Sequence, residues 1–276
     1  MTTTATGKAS QSAGKVPVSC CIRTQNEAVR IREVITAAMQ LVDDVVIVDS
    51  GSTDDTVAIA ESLGARVFHQ PWLGSGRQKR AAEDQARHDW ILDLDADEVL
   101  TDALIAEIRA LFASGEPAHR IYELIFITAP PIGEPWYGFL HILRNKLYDK
   151  RVVRAPDHKA WDQFEVPAGV SVGRLKGFVL HYSFRDFAHF SEKLNRVSTS
   201  RARDGKLKPY WMVVLRVLAA PPFYFFKHYV TRGIWRAGVY GFIASAISGH
   251  GRWLRDIKMY EIHLRNREAR RGRDPV

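Results

Sequence analysis

Between Val16 and Phe112 the chain alternates strand-like and helix-like patterns, and this alternation restricts the fold more than any other feature. Asp44 to Asp49 (Asp-Val-Val-Ile-Val-Asp) is a nearly continuous β-branched run, the composition of a parallel strand covered on both faces. Val16 to Arg23, Ala65 to His69 and the stretch opening at Trp90 are further strand candidates. Between them Ile31, Val34, Ile35, Ala38, Leu41 and Val42 recur at helical spacing. Ser52, with Asp55 three residues on, reads as a capping box for a helix that closes at Gly64. A glycine-rich loop, Gly74-Ser75-Gly76-Arg77-Gln78-Lys79, opens a third helix, and Leu104, Ile105, Ile108, Leu111 and Phe112 mark a fourth. Such a succession predicts an α/β fold whose mostly parallel sheet is flanked by helices on both faces. Beyond residue 113 the pattern predicts strands over Tyr122–Thr128, Lys146–Val153 and Val170–Tyr182, a loop over Pro130–Tyr137 and a basic helix over Arg185–Asp204.

In sheets of this kind ligands bind beyond the carboxyl ends of the strands. Three predicted strand ends carry polar groups, Thr24 to Glu27, Asp49 to Asp54 and Asp95 to Glu98, so all three should converge on one cleft. In Trp90-Ile-Leu-Asp-Leu-Asp-Ala-Asp-Glu98 the period of two turns Asp93, Asp95 and Asp97 the same way and leaves Leu92 and Leu94 to the core. Like charges gathered on one side call for a positive partner. Carboxylate oxygens suit a hard divalent ion, Mg2+ or Mn2+, completed by substrate phosphates. A solvated acidic turn is the other reading of the same residues.

The formal net charge is +8, and the excess gathers at Arg201–Lys208 and in the tail from His263. This suits an anionic membrane surface or a phosphorylated substrate. Nucleic acid is excluded as a partner, because no base-reading motif accompanies the charge. Cys20 and Cys21 are adjacent in a predicted buried strand, so no disulfide framework forms and a reducing compartment is implied. Residues 1–15 are small and polar and read as a disordered leader. Trp211 to Phe226 holds one charge in 16 residues. Arg216 and Pro221-Pro222 interrupt it, which points to a segment lying in a membrane interface, with Lys227, His228, Arg232 and Arg236 at headgroup level. Packing of these helices on the α/β domain is the alternative.

Four spaced motifs then fall in order: Cys21-Ile-Arg-Thr-Gln-Asn-Glu27, Val46-Ile-Val-Asp-Ser-Gly-Ser-Thr-Asp-Asp-Thr56, the Arg77-Gln-Lys79 helix start and Leu92-Asp-Leu-Asp-Ala-Asp-Glu98. Together they resemble the family 2 glycosyltransferases of the GT-A fold, and within them the bacterial lipopolysaccharide-core enzymes. The match is specific over residues 16 to 110 and weaker from 140 to 260. The resemblance implies a GT-A catalytic domain over 16–184 and a C-terminal helical, basic and aromatic membrane-interface region over 185–276. It implies an inverting, metal-dependent transfer of a hexose from a UDP-sugar to a glycolipid, at the cytoplasmic face of a bacterial inner membrane.

By the same resemblance Thr24, Asn26, Glu27, Asp49 and Ser50 contact the nucleotide, and Asp49 accepts the uracil N–H. Arg77 and Lys79 reach the diphosphate, aided by helix N-terminal amides. Asp95 and Asp97 are the DxD pair: Asp95 contacts the ribose of the nucleotide sugar and shares the metal shell, Asp97 coordinates Mn2+ or Mg2+ directly, His181 joins them, and Asp93 has a supporting role. Glu165 is the first choice for general base and Asp162 its competitor. The family's Val-His-Glu segment corresponds here to Gln163-Phe164-Glu165, which keeps the acid and loses the histidine. Trp136 and Tyr137 are placed to stack on a sugar. Other readings are a polyisoprenyl-phosphate or exopolysaccharide glycosyltransferase, a nucleotidyltransferase, or an inactive membrane-surface scaffold. A nucleotidyltransferase needs a long glycine-rich loop after the first strand, where this chain has Thr-Gln-Asn-Glu.

Overall fold

The computed structural model describes residues 14–271, so nearly all of the expected leader lies outside the described residues. Eight strands form one sheet in the order β3-β2-β1-β4-β7-β6-β8-β5. They are β1 (Val16–Thr24), β2 (Val42–Asp49), β3 (Arg66–His69), β4 (Trp90–Asp95), β5 (Glu98–Leu100), β6 (Ile121–Thr128), β7 (Ile142–Asp149) and β8 (Val172–His181). β1 pairs in parallel with β2 on one side and β4 on the other, β3 continues the parallel half, and β7 joins β4 antiparallel.

The parallel strands read as unbroken apolar runs because each of their faces is covered. Cys20, Ile22, Leu92 and Leu94 pack with Ile31, Val34, Ile35 and Leu41 of helix α1 (Ile31–Leu41) and Leu104 and Ile108 of α4 (Asp102–Ala113). Cys21, Val46, Val48 and Ile91 pack on the other face with Tyr148 and with Ala82 of α3 (Ser75–Asp84). Each buried aliphatic side chain of α1 contributes about 1.5–3 kcal/mol of transfer free energy. The fourth helix is capped at Thr101, whose side chain accepts from the Leu104 amide.

One start signal was misplaced. Helix α2 spans Thr56–Ser62 and does not begin behind Ser52. The Ser52 hydroxyl instead donates to Asp49, and its Oγ accepts the Asn26 amide. Asp54 takes over at the helix start, accepting from the Thr56 amide at 3.1 Å. The strand-end carboxylate has captured the expected cap.

The chain divides into two compact units, residues 1–126 with 143–180, and residues 127–142 with 181–276. The second unit thus takes in a segment, 127–142, that runs from the end of β6 to the first residue of β7. It contains helices α5 (Phe187–Arg203), α6 (Tyr210–Phe226) and α7 (Gly238–Arg270). Trp136 is buried there against Ile234 and Ala244 and stacks on Phe139 with ring centroids 5.4 Å apart, so it serves the core and offers no free face to a sugar. Gly249 allows the close approach of α6 to α7: a Cβ there would lie 3.0 Å from the Phe225 amide nitrogen. Among the described residues no helix is long and apolar enough to cross a membrane. The outer face of α6 nevertheless exposes Trp211, Leu215 and Leu218, the last 78% exposed.

Candidate functional site

The parallel half of the sheet delivers its strand ends as a row. β1 lies between β2 and β4, so Thr24 stands in register with Asp49 and Arg23 with Asp95. The convergence expected of these three strand ends follows from that strand order.

On the β1–β2 side the polar ends are tied together. Asp49 is buried, and its carboxylate accepts from the amides of Gly51 and Ser52 at 2.9 Å each. Asn26 adopts a left-handed φ of 57°, and its Oδ1 accepts from the Thr53 amide at 2.8 Å. The Glu27 amide donates to Thr56 Oγ1, and Ser50 Oγ accepts from Gln78 Nε2 at 3.0 Å. Thr24 Oγ1 is buried without a hydrogen-bond partner among the described residues. Thr24, Asn26, Glu27, Asp49 and Ser50 are therefore brought onto one rim.

On the β1–β4 side is a buried charge network. Arg23 Nε donates to Asp95 at 2.7 Å and its second terminal nitrogen to Asp162 at 3.0 Å. Lys79, only 3% exposed, donates to Asp93 at 2.7 Å and stands 3.3 Å from Asp162. Lys146, 2% exposed, donates to Glu98 at 3.0 Å and lies 3.5 and 3.6 Å from Asp93 and Asp95. Burial alone would raise the Asp95 carboxyl, but Lys146, Lys79 and Arg23 hold it well below the usual carboxylate range. Burial works against the Lys146 ammonium as well, and Asp93, Asp95 and Glu98 push it well above an ordinary lysine. Asp162, opposed by burial, is held low by Lys79 and Arg23.

Four carboxylates, Asp93, Asp95, Glu98 and Asp162, face the three cations Arg23, Lys79 and Lys146, and Asp97 follows in the turn after β4. The donors gathered on this stretch are hard carboxylate oxygens, so the residues fit Mg2+ or Mn2+.

Two expectations at α3 need correction. Lys79 is committed to Asp93 and Asp162 and does not reach outward to a diphosphate. Nor are the first amides of the helix open, because Ser75 and Gly76 donate to the carbonyls of Lys159 and His158. Arg77 is half-exposed and paired with Asp157 at 2.6 Å. The segment before Asp162 lies so close on the helix start that a Cβ on Gly76 would sit 2.3 Å from the Pro156 carbonyl oxygen and 2.5 Å from that of Trp161. Gly76→Ala is expected to cost about 1–3 kcal/mol of stability by urea unfolding, because backbone has to shift to admit the methyl.

Of the two base candidates, Asp162 is wired into the charge network, while Glu165 is exposed. Between them Phe164 turns inward, edge-on to Tyr148 at 4.9 Å. His181 is the last residue of β8 and half-buried. Arg23 and Lys146 escaped the sequence reading. The signal for Arg23 was its parity with Cys21 on β1. For Lys146 it was a lone lysine entering the apolar Leu147-Tyr148 pair, which acquires meaning only through the β4–β7 register that sets Leu92 opposite Leu147.

Residues 19–165 match the model of the family described as Glycosyl transferase family 2. Along most of its length the chain is similar to an uncharacterized glycosyltransferase of Rickettsia bellii, 32% identical over 266 residues covering 93% of this chain and 90% of the relative. It is also similar to the lipopolysaccharide core biosynthesis glycosyltransferase LpsC of Rhizobium meliloti, 28% identical over 265 residues covering 90% and 94% of the two chains. Among solved structures, glucosyl-3-phosphoglycerate synthase from Mycobacterium tuberculosis in complex with Mn2+, UDP and glucosyl-3-phosphoglycerate aligns at 25% identity with a TM-score of 0.35. That alignment covers 42% of this chain and 45% of the synthase, less than half the length of either.

Proposed function

This chain belongs to the family 2 glycosyltransferases, and from that premise we propose that it transfers a hexose from a UDP-sugar to a glycolipid of the lipopolysaccharide-core kind, with inversion at the anomeric carbon. The observation that carries the reading is the adjacency, along β2, β1 and β4, of the Thr24–Asp49 rim to a buried network of carboxylates and cations. Asp49, Thr24, Asn26, Glu27 and Ser50 would take the uridine. Asp95 and Asp97, with His181, would hold Mn2+ or Mg2+. When bound, that ion supplies Lewis-acid support to the departing nucleoside diphosphate.

Arg23, Lys79 and Lys146 fix the carboxylates in place, so that little reorganisation accompanies charge development. Glu165 is the better base of the two. Asp162 is paired with two cations that depress its basicity, whereas Glu165 is exposed and outside that network. Asp162 then positions Arg23 against Asp95. The acceptor side would then lie at the inner face of the cytoplasmic membrane, as a peripheral contact. The exposed Trp211, Leu215, Leu218 and Phe226 with nearby basic residues support this.

Thermal-shift titration with nucleoside diphosphates tests the donor assignment. UDP with Mn2+ at a hundredfold excess over Kd should stabilise the protein by about 2.7 kcal/mol, a rise of several degrees in Tm. UDP without metal and GDP with metal should give far less. Equal shifts from UDP and GDP, or no metal effect, would remove the assignment.

A further inference from the structure

Helix α6 is built the wrong way round for a surface that meets water. From Trp211 to Phe226 every exposed position is apolar. Trp211, Leu215, Leu218, Pro222 and Phe226 follow one another at spacings of three and four, so they lie on one face of the helix. The single charge of α6 is on the other side. Arg216 Nε donates to the Tyr224 hydroxyl at 3.0 Å and lies 3.2 Å from Asp256 of α7, and that hydroxyl donates to the same carboxylate at 2.5 Å. Val213 packs inward as well, with Met259 and Ala202. A helix covered on one side by its own protein ordinarily turns its charge to solvent and its apolar residues to the core. Here the buried Asp256 draws the guanidinium inward and leaves the outer face with nothing that water can solvate.

The face is larger than one helix. Phe242 of α7 is exposed and stands edge-on to Phe225 of α6 at 5.0 Å, so it continues the apolar surface. Charge then decides what covers it. From Gly205 to Arg255 the chain contains eight Lys or Arg and no Asp or Glu. Lys206 and Lys208 come just before the helix and Lys227 just after it. A second copy of this chain would bring equal positive charges face to face, whereas an anionic bilayer offers apolar chains beneath a negative surface. Of the basic residues expected at headgroup level, Lys227, Arg232 and Arg236 are exposed, but His228 is buried.

We propose that α6 lies in the plane of an anionic membrane, with Trp211, Leu215, Leu218 and Phe226 among the acyl chains and the flanking lysines at the lipid phosphates. Seventeen residues make a helix of about 25 Å, and no helix among the described residues is long and apolar enough to cross a bilayer. Lying flat is the orientation that buries the whole face, at a depth of about 5–10 Å. The inference deepens the membrane-side reading of the acceptor and rests on it, adding the helix, the face and the charge of the lipid.

Flotation of the full chain with vesicles of phosphatidylcholine, and of phosphatidylcholine with phosphatidylglycerol, measures the contact. Brominated acyl chains in the same vesicles report its depth through tryptophan fluorescence. The wild type should float with the phosphatidylglycerol vesicles and lose fluorescence on bromination, and Trp211→Phe should remove part of that loss. Leu218→Asp should keep the melting temperature of the wild type and bind the vesicles about tenfold or more weakly. Val152→Asp makes the same charge change at an exposed position outside the helical unit and should stay within about threefold. Flotation with no bromine quenching, or equal binding by Leu218→Asp and the wild type, would leave headgroup attraction alone and overturn the insertion. A dimer seen by light scattering that Leu218→Asp dissociates, with no flotation of the wild type, would give the face to a second copy and overturn it as well. No flotation at all would remove the membrane-side reading together with this one, while the thermal shift with UDP and Mn2+ reads the donor chemistry separately.

Discussion

Lys146→Met is expected to lower the unfolding free energy by about 3–5 kcal/mol at pH 7, read from urea unfolding. The ammonium is buried among Asp93, Asp95 and Glu98, and its removal takes Glu98's ammonium donor and leaves Asp93 to Lys79 and Asp95 to Arg23, with one cation fewer among buried carboxylates. Their desolvation is a cost already met in the wild type only because the cation is there, so the loss exceeds that of a surface ion pair several-fold. The pH dependence follows from the two shifts. Asp95 titrates below its unfolded value, so its contribution is present above about pH 3.9 and is lost as pH falls through the lower native value. Lys146 titrates above its unfolded value, so its contribution is full below about pH 10.4 and is lost as pH rises through the higher native value. Wild-type stability from this network is therefore flat between those limits. In Lys146→Met the carboxylates, with one cation fewer, take up protons more readily, and the deficit should shrink as pH is lowered from 7 towards 5. A deficit under about 1 kcal/mol, or one that does not vary with pH, would mean that another group balances these acids.

The parallel half of the sheet was legible because its physics is local. Strands buried on both faces have to be apolar throughout, and the polar residues that end them stand out against that background. Asp49 and Asp95 were readable for this reason, and so was the parity that turns Asp93 and Asp95 the same way. What the sequence did not disclose depends on register between distant segments. Lys146 is 53 positions from Asp93, and nothing near it in the chain reveals that β7 runs back along β4. Lys79 looked like a free phosphate ligand because a lysine at a helix start usually points to solvent. Here Asp93 and Asp162 hold it inside. The segment 127–142 followed a strand and preceded a strand, so the sequence assigned it to the first domain. Trp136 instead packs with Ile234 and Ala244, contacts formed only once α7 exists.

Asp97→Asn is expected to reduce kcat/KM for the UDP-sugar by about 10²–10³, equivalent to about 2.7–4 kcal/mol of transition-state stabilisation. It should also abolish the metal-dependent part of the UDP thermal shift. Asp93→Asn supplies the contrast. Asp93 sits two strand positions before Asp95, is buried, and bonds Lys79 at 2.7 Å and stands 3.5 Å from Lys146. Its loss uncovers two buried ammonium groups and should act mainly on stability, whereas Asp97 lies in the half-buried turn after β4, where a carboxylate-to-amide change costs the fold little. On the proposed reading one acidic stretch contains two functions separated by four residues: Asp93 anchors the cations that hold the network rigid, and Asp97 would meet the ion. Asp95 belongs to both, because Arg23 holds one of its oxygens and Lys146 lies 3.6 Å from the other. If Asp97→Asn kept full metal-dependent UDP binding while Asp93→Asn lost it, the ion would have to sit deeper in the network than the turn, and the division of labour between these carboxylates would be reversed.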